Sequence, residues 1–395
     1  MPDPNPLARP ATKKLLALDG GGIRGLITIE VLAQIEKILR AKSGNDKLVL
    51  ANYFDYIAGT STGAVIGTLL AQGNSVDDIR DTYREFARLI FAKTGATAGN
   101  PNIEIATNVA ANLIRKKLHR QIIPFAQYRA EPLAKKLIEI IGGDDVTLCD
   151  NALKTLLLIV MSNASTDSAW PVSSNPKAKY NDRARANSNA TIPLWRLVLA
   201  STAAPTVFPA EEIEVGAKTY VFVDGGVTPY NNPAFQLFLQ ATLPPYNLCW
   251  PAGEKEILVV SIGTGLNPVE NLDLRAQDFD FVMLAMTTVA AQFNSAVYQQ
   301  DLLCRAFGNC LAGDMLDREV GAMVQMPAPG GNKLFTYVRY NAELTRAGLD
   351  AMGLNTIEPT DISKLDSVDH MDELQRVGES VAQKVAAQHF ADFPP

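Results

Sequence analysis

The chain has 395 residues, 47% of them apolar and 20% charged, and its 36 Lys and Arg against 42 Asp and Glu give a formal charge of −6. At about 150 residues per domain this suits one large domain or two ordinary ones, with core enough to fold without disulfides or metals. The acidic balance argues against a general nucleic-acid binder, the 4 cysteines (Cys149, Cys249, Cys304, Cys310) form no CxxC pair, and only 3 histidines are available for a metal site or a Ser-His-Asp triad.

The first ten residues carry four prolines and no apolar signal-peptide core, so residues 1–13 read as a disordered leader. No apolar run approaches the roughly 18 residues of a membrane-spanning helix. With few cysteines the expected location is the cytoplasm.

Lys14–Asp19 predicts a short strand, followed by a glycine cluster. Leu26–Arg40 then repeats apolar residues at helical spacing, and Ser43-Gly44-Asn45 ends that helix. Phe54–Thr60 is a second strand, leading directly into a small-residue helix over Ala64–Ala71 that stops at Gly73-Asn74. Ser75 opens another helix with acidic residues in its first turn. Thr155–Met161 and Glu256–Ile262 are continuous apolar runs, the pattern of parallel strands buried on both faces, and Thr219–Val223 is a shorter one of the same kind. Phe279–Phe307 and Asp372–Phe390 fit helices. The alternation predicts an α/β fold with a sheet covered on both faces. Thr94–Asn102 and the basic stretch Ser173–Pro193, with Lys177, Lys179, Arg183 and Arg185, are expected as surface loops.

Three segments carry chemistry. Asp19-Gly20-Gly21-Gly22-Ile23-Arg24-Gly25 lies between a strand and a helix, where successive glycines point N–H groups into one concavity suited to an anion. The same glycines fit a dinucleotide-binding pattern, but the acidic residue which that pattern needs about 20 positions on, at the end of a strand, falls here in a helix end and turn. Gly59-Thr60-Ser61-Thr62-Gly63 is a G-x-S-x-G between a strand and a helix, the context of a nucleophile elbow; a glycine-rich turn with a capping serine is the plainer reading. Asp224-Gly225-Gly226 follows a strand, so the aspartate can reach a site at the carboxyl edge of the sheet, although Asp-Gly turns are common. Together they supply oxyanion donors, a nucleophile and a base, the parts of an acyl-transfer hydrolase.

In order and content these motifs resemble the patatin-like phospholipase family, whose signature is a D-G-G-G-x-[KR]-G loop, a G-x-S-x-G elbow and a D-G-[GA] aspartate. Residues 200–209 are similar to the block before that aspartate, Ser261–Gly265 to a strand end after it, and about 364–386 to a C-terminal helix. The resemblance implies an α/β, three-layer fold with a central mostly parallel β-sheet flanked by helices, a catalytic core over 14–235, and a remainder, 236–395, continuing the same globule. It implies a Ser-Asp dyad without a catalytic histidine. Ser61 attacks an ester carbonyl, Asp224 accepts its proton, and backbone N–H groups of Gly20, Gly21 and Gly22 hold the oxyanion. Arg24 fixes that loop, and Gly25, Gly59, Gly63, Gly225 and Gly226 support the turns. The implied substrate is a phospholipid or other lipid ester met at a membrane surface through transient contact, with no metal, cofactor or nucleic acid. Two alternatives stay open: an acyltransferase, and an effector lipase silent until a ligand arrives. Some bacterial members of the family are activated by signalling nucleotides, for which the basic 173–193 stretch is a candidate.

Ser61, Asp224 and His370 also follow the chain order of an α/β-hydrolase triad. However, Ser61 comes after only two strands, early for that fold, and His370 reads as a polar residue near a helix start. His119 and His389 are expected to be solvated. The run Arg115–Arg120 follows an apolar-rich segment, Ile103–Ile114. It is expected to be a solvated helix face, with docking of residues 103–125 on phospholipid as the alternative.

Overall fold

Short apolar runs supply the centre of the molecule. The computed structural model describes residues 12–90, 128–205, 207–268, 275 and 281–395. Among the described residues nine strands form one sheet: β1 (Lys13–Leu18), β2 (Tyr56–Thr60), β3 (Leu156–Asn163), β4 (Ser168–Ser173), β5 (Glu211–Val215), β6 (Lys218–Asp224), β7 (Ile257–Ile262), β8 (Asn309–Ala312) and β9 (Thr336–Tyr340). Their order is β5-β6-β3-β2-β1-β7-β9-β8, with β4 also paired to β3. From β3 through β8 the pairing is parallel. Strands β4, β5 and β6 run antiparallel to their partners.

Successive side chains of a strand point to opposite faces, and here both faces are apolar. Leu16 and Leu18 of β1 join one buried cluster with Ile57, Val260 and Ile262, while Leu15 and Ala17 join a second with Tyr56, Ala58 and Val259. The first face is covered by α1 (Gly25–Ser43), α2 (Leu50–Tyr53), α3 (Thr62–Gln72), α4 (Val76–Ile90), α5 (Ala130–Ile141) and α6 (Leu194–Ser201). The second is covered by α7 (Ala234–Thr242) and the end of α8 (Phe281–Phe307). The chain then returns to the first face through α9 (Arg346–Ala351), α10 (Pro359–Ile362) and α11 (Met371–Ala382). The result is a three-layer α/β architecture around a mostly parallel sheet. No described helix is long and apolar enough to cross a membrane.

The structure departs from the sequence reading in four places. Thr219–Val223 becomes β6, which is antiparallel rather than parallel, because it returns from β5 as a hairpin. The segment Asp372–Phe390 is not one helix: α11 ends at Ala382 and a short 3-10 turn covers Ala387–Phe390. Folding back seats Val385, Phe390 and Phe393 in the core, where Tyr53 Oη donates to the Phe393 carbonyl at 2.6 Å. His389 is therefore buried, its Nδ1 2.7 Å from Tyr340 Oη, rather than solvated. In the 173–193 stretch the basic side chains are exposed as expected, but Asn175, Asn181, Ser188 and Ala190 are buried and knit the loop down. Strand β4 contains Pro171, and β5 alternates buried apolar with charged residues; neither gives the continuous apolar run that marks a central strand. Residues 94–102, 103–125 and most of the leader lie outside the described residues.

Helix α11 lies against α1 at unusually close range. A Cβ added at Gly378 would stand 2.9 Å from Ile27 Cα and 2.9 Å from Glu30 Cβ, so glycine sets how near the two helices come. Gly378→Val is expected to prise them apart and lower stability by about 1–3 kcal/mol. The check is the midpoint of chemical denaturation, and an unchanged midpoint would refute the packing argument.

Candidate active site

The carboxyl ends of three neighbouring strands converge, since Leu18 of β1 lies between Gly59 of β2 and Ile262 of β7. Ser61 follows β2 and precedes α3 with φ 54° and ψ −122°, a strained conformation that lifts its side chain out of the turn. The turn tolerates no Cβ at its flanks. One at Gly59 would meet the Gly63 carbonyl oxygen at 2.1 Å, and one at Gly63 would meet the Leu18 carbonyl oxygen at 2.3 Å. Both clashes are with backbone, so the pentapeptide is a packing requirement as well as a motif.

Asp224 arrives on β6, which shares an edge of β3 with β2. Along β3, Val160 pairs with Thr60 on one edge and Pro171 on the other; Met161 pairs with Asp224 and Trp170. Strand β6 thus continues the edge that β2 leaves, and Asp224 stands one step beyond Thr60. Ser61 Oγ donates to Asp224 Oδ2 at 2.6 Å, and the Gly226 N–H donates to Asp224 Oδ1 at 2.6 Å. Asp224 is 1% exposed and Ser61 8%. Burial pushes the Asp224 carboxyl up to about 6, against the opposing pull of its bonds from Ser61 and Gly226. Ser201, at the end of α6, accepts from the Ser61 N–H at 2.9 Å and donates to the Val160 carbonyl at 2.6 Å. Gly225 packs against that same carbonyl, and Gly226 lies under the Phe293 ring.

The glycine loop packs directly on this pair: a Cβ on Gly20 would lie 3.2 Å from Ser61 Cβ. The Gly20 N–H is already given to the Asn231 carbonyl at 3.1 Å, while the Gly20 carbonyl accepts from Thr264 Oγ1 at 2.9 Å. Gly22 is left-handed at φ 58°, and its carbonyl accepts from Tyr83 Oη at 2.7 Å. Tyr83 Oη also touches Thr62 Oγ1, and Gly25 opens α1 against both side chains. Arg24 Nε donates to the Gly21 carbonyl at 3.3 Å, and burial pulls its guanidinium down to about 10. The N–H groups of Gly21 and Gly22 have no partner among the described residues. An arrangement of this kind, with a buried carboxylate on a serine hydroxyl and adjacent free amides beside it, can support attack on a carbonyl and hold the resulting oxyanion.

The sequence-derived residues of all three motifs therefore meet at one edge of the sheet. Sequence reasoning did not single out Ser201, Thr264, Tyr83 or the Leu365 carbonyl, which accepts from the Ile23 N–H at 2.9 Å. Ser201, Thr264 and Leu365 do fall in the segments at 200–209, 261–265 and 364–386; Tyr83 has no signal beyond the apolar face of α4. His370 makes no hydrogen bond to Ser61 or Asp224; its Nδ1 lies 3.5 Å from Glu373, and the side chain is 33% exposed. His119 lies outside the described residues. The basic 173–193 loop leaves β4 near the amino end of β3, the edge opposite Ser61. Among the described residues no three His, Cys, Asp or Glu side chains cluster to hold a metal.

Residues 16–238 match the family model described as patatin-like phospholipase. A cGAMP-activated phospholipase of Vibrio cholerae serotype O1 is 33% identical over 224 residues, 56% of this chain and 56% of that one. Patatin-like protein 2 of Arabidopsis thaliana is 27% identical over 274 residues, 65% of this chain and 60% of that one. Among solved structures, human GIVD cytosolic phospholipase A2 superposes with a TM-score of 0.46 at 10% identity, covering 95% of this chain and 61% of that one. The alignments thus span 56% and 60% of the two curated relatives' own lengths. With more than half of its length inside the family model, and with a central mostly parallel sheet flanked by helices, the chain belongs to the patatin-like phospholipase family.

Proposed function

We propose that the protein is a lipid acyl hydrolase of phospholipase A or lysophospholipase type, with Ser61 as nucleophile and Asp224 as its base. The observation that carries this reading is the 2.6 Å bond from Ser61 Oγ to Asp224 Oδ2, made by a buried carboxylate beside the free amides of Gly21 and Gly22. Ser61 Oγ attacks the ester carbonyl and its proton passes to Asp224 Oδ2. The Gly226 N–H occupies Oδ1, which leaves Oδ2 to face the hydroxyl. The amides of Gly21 and Gly22 take the oxyanion, where one donor is worth about 3 kcal/mol. Collapse expels the alcohol portion of the lipid, protonated by Asp224, and leaves an acyl-Ser61. Water, deprotonated by Asp224, then releases the fatty acid. An enzyme of the cytoplasm in transient contact with a membrane surface is the corresponding proposal for its setting.

A second reading is favoured by the 33% identity to the Vibrio cholerae relative, which is described as cGAMP-activated. In that reading hydrolysis waits for a nucleotide activator. Turnover of phospholipid in mixed micelles, with and without cGAMP, separates the two: comparable rates support the constitutive hydrolase, and activity only with the nucleotide supports the gated one.

Ser61→Ala and Asp224→Asn are each expected to cut hydrolysis of a p-nitrophenyl ester at least about 1000-fold, the scale of removing one member of a catalytic unit. Wild-type turnover in either variant would refute the dyad. Because the base must be ionised, kcat/KM is expected to rise with pH and level off above about 6, the value to which burial lifts Asp224. A pH–rate profile checks this; an acid limb near the ordinary carboxylate value of about 4 would place the base elsewhere.

A further inference from the structure

Behind the glycine loop lies a chain of buried charges that the dyad chemistry does not use. Asp19, the residue just before Gly20, receives both prongs of the Arg339 guanidinium, from Nη1 to Oδ1 at 2.9 Å and from Nη2 to Oδ2 at 2.5 Å. Arg339 Nε stands 3.9 Å from Asp301 Oδ2. Arg305 grips Asp301 in turn, Nε to Oδ1 and Nη2 to Oδ2, both at 2.8 Å, and Tyr337 Oη reaches Oδ1 at 3.0 Å. Arg305 is itself anchored on the carbonyls of Asp314 at 2.6 Å and Ala322 at 2.5 Å. The alternating series Asp19, Arg339, Asp301 and Arg305 is 2, 3, 6 and 2% exposed. Burying four charges is costly, and well-packed apolar residues of similar volume often hold a fold as well or better. Stability alone therefore gives no reason for an ionic chain at this point.

Its near end provides one. Arg339 Nη1 also donates to Ser261 Oγ at 2.7 Å, and Ser261 Oγ donates to Asn232 Oδ1 at 3.2 Å. Asn232 adjoins Asn231, whose carbonyl holds the Gly20 N–H. Thr264, three residues after Ser261, holds the Gly20 carbonyl. One guanidinium thus ties down the residue entering the glycine loop and the segment that clasps Gly20. Resting on the hydrolase reading above, we propose that Arg339, backed by Asp301 and Arg305, is a positioning residue that fixes the Gly20–Gly22 loop so that the Gly21 and Gly22 amides meet the developing oxyanion. The forked guanidinium matters because a point charge cannot hold both carboxylate oxygens in one orientation.

The test compares Arg339→Lys and Asp19→Asn with wild type in three measurements. These are kcat and KM on a p-nitrophenyl ester, the rate of Ser61 phosphonylation by an alkyl fluorophosphonate, and thermal midpoint. Displacing catalytic donors by about 1 Å costs on the order of 100-fold. The expected result is a kcat per titrated site lowered by about that factor, KM little changed, and phosphonylation slowed in parallel, because both reactions build charge on the same oxygen. Wild-type kcat per titrated site overturns the proposal even if the thermal midpoint falls, and so does an effect confined to KM. Should either variant fail to fold, Arg305→Lys carries the test from the far end of the chain, with a kcat loss of about 10-fold expected and wild-type kcat overturning it. Full activity in Ser61→Ala would instead sink the hydrolase reading itself, a result distinct from normal Ser61 dependence with an unaffected Arg339→Lys.

Discussion

On one edge of β3, Val160 pairs with Thr60 and the next residue, Met161, pairs with Asp224. A parallel strand and an antiparallel strand therefore end head to head on a single neighbour. The elbow serine and the aspartate, separated by 163 residues, are brought to hydrogen-bonding distance by backbone register rather than by side-chain reach. Register is strongly specified here because both faces of the sheet are buried, and a slip of one residue would turn every apolar side chain of β3 to the wrong layer. The same apolar runs that make the core thus fix the site.

Around that junction the chain gives up local stability in several ways. Ser61 sits at a positive φ, two glycines leave no room for a Cβ, and Asp224 is buried as an acid without a cationic partner among the described residues. Each is tolerable because rigid neighbours hold it: Ser201 ties the Ser61 amide to β3, Thr264 and Asn231 clasp Gly20, and Tyr83 caps Gly22. These supporting residues come from α6, the end of β7, the loop before α7, and α4. The site is therefore a property of the whole sheet edge and not of three short motifs.

The parallel centre of the fold was legible because fully buried strands are continuous apolar runs, α1 has clear helical spacing, and both α1 and α3 carry end signals. The outer strands were not. Strand β5 carries three glutamates, and β4 holds a proline that only an outer strand accommodates, so neither resembles the central strands. The apolar pattern of β6 does not carry its direction, because direction depends on the connection, and the hairpin from β5 is written in a turn that this pattern does not record. The last helix stops at Ala382 with no glycine or proline to announce it, since burying Phe390 and Phe393 outweighs continuing the helix.

The sequence by itself determined the chemistry on offer. It placed a serine in an elbow, glycines in a nest at a helix start and an aspartate at a strand end, because these depend on local conformation that a few adjacent residues dictate. Of the described imidazoles, His370 lies beside Glu373 and His389 beside Tyr340. Tertiary structure alone decided that Asp224 meets Ser61, that the Gly20 amide is occupied while those of Gly21 and Gly22 have no partner among the described residues, and that Arg339 stands behind Asp19 across 320 residues. Such contacts arise from strand order and register, which are set by burying the whole sheet and leave no mark in any single stretch of sequence.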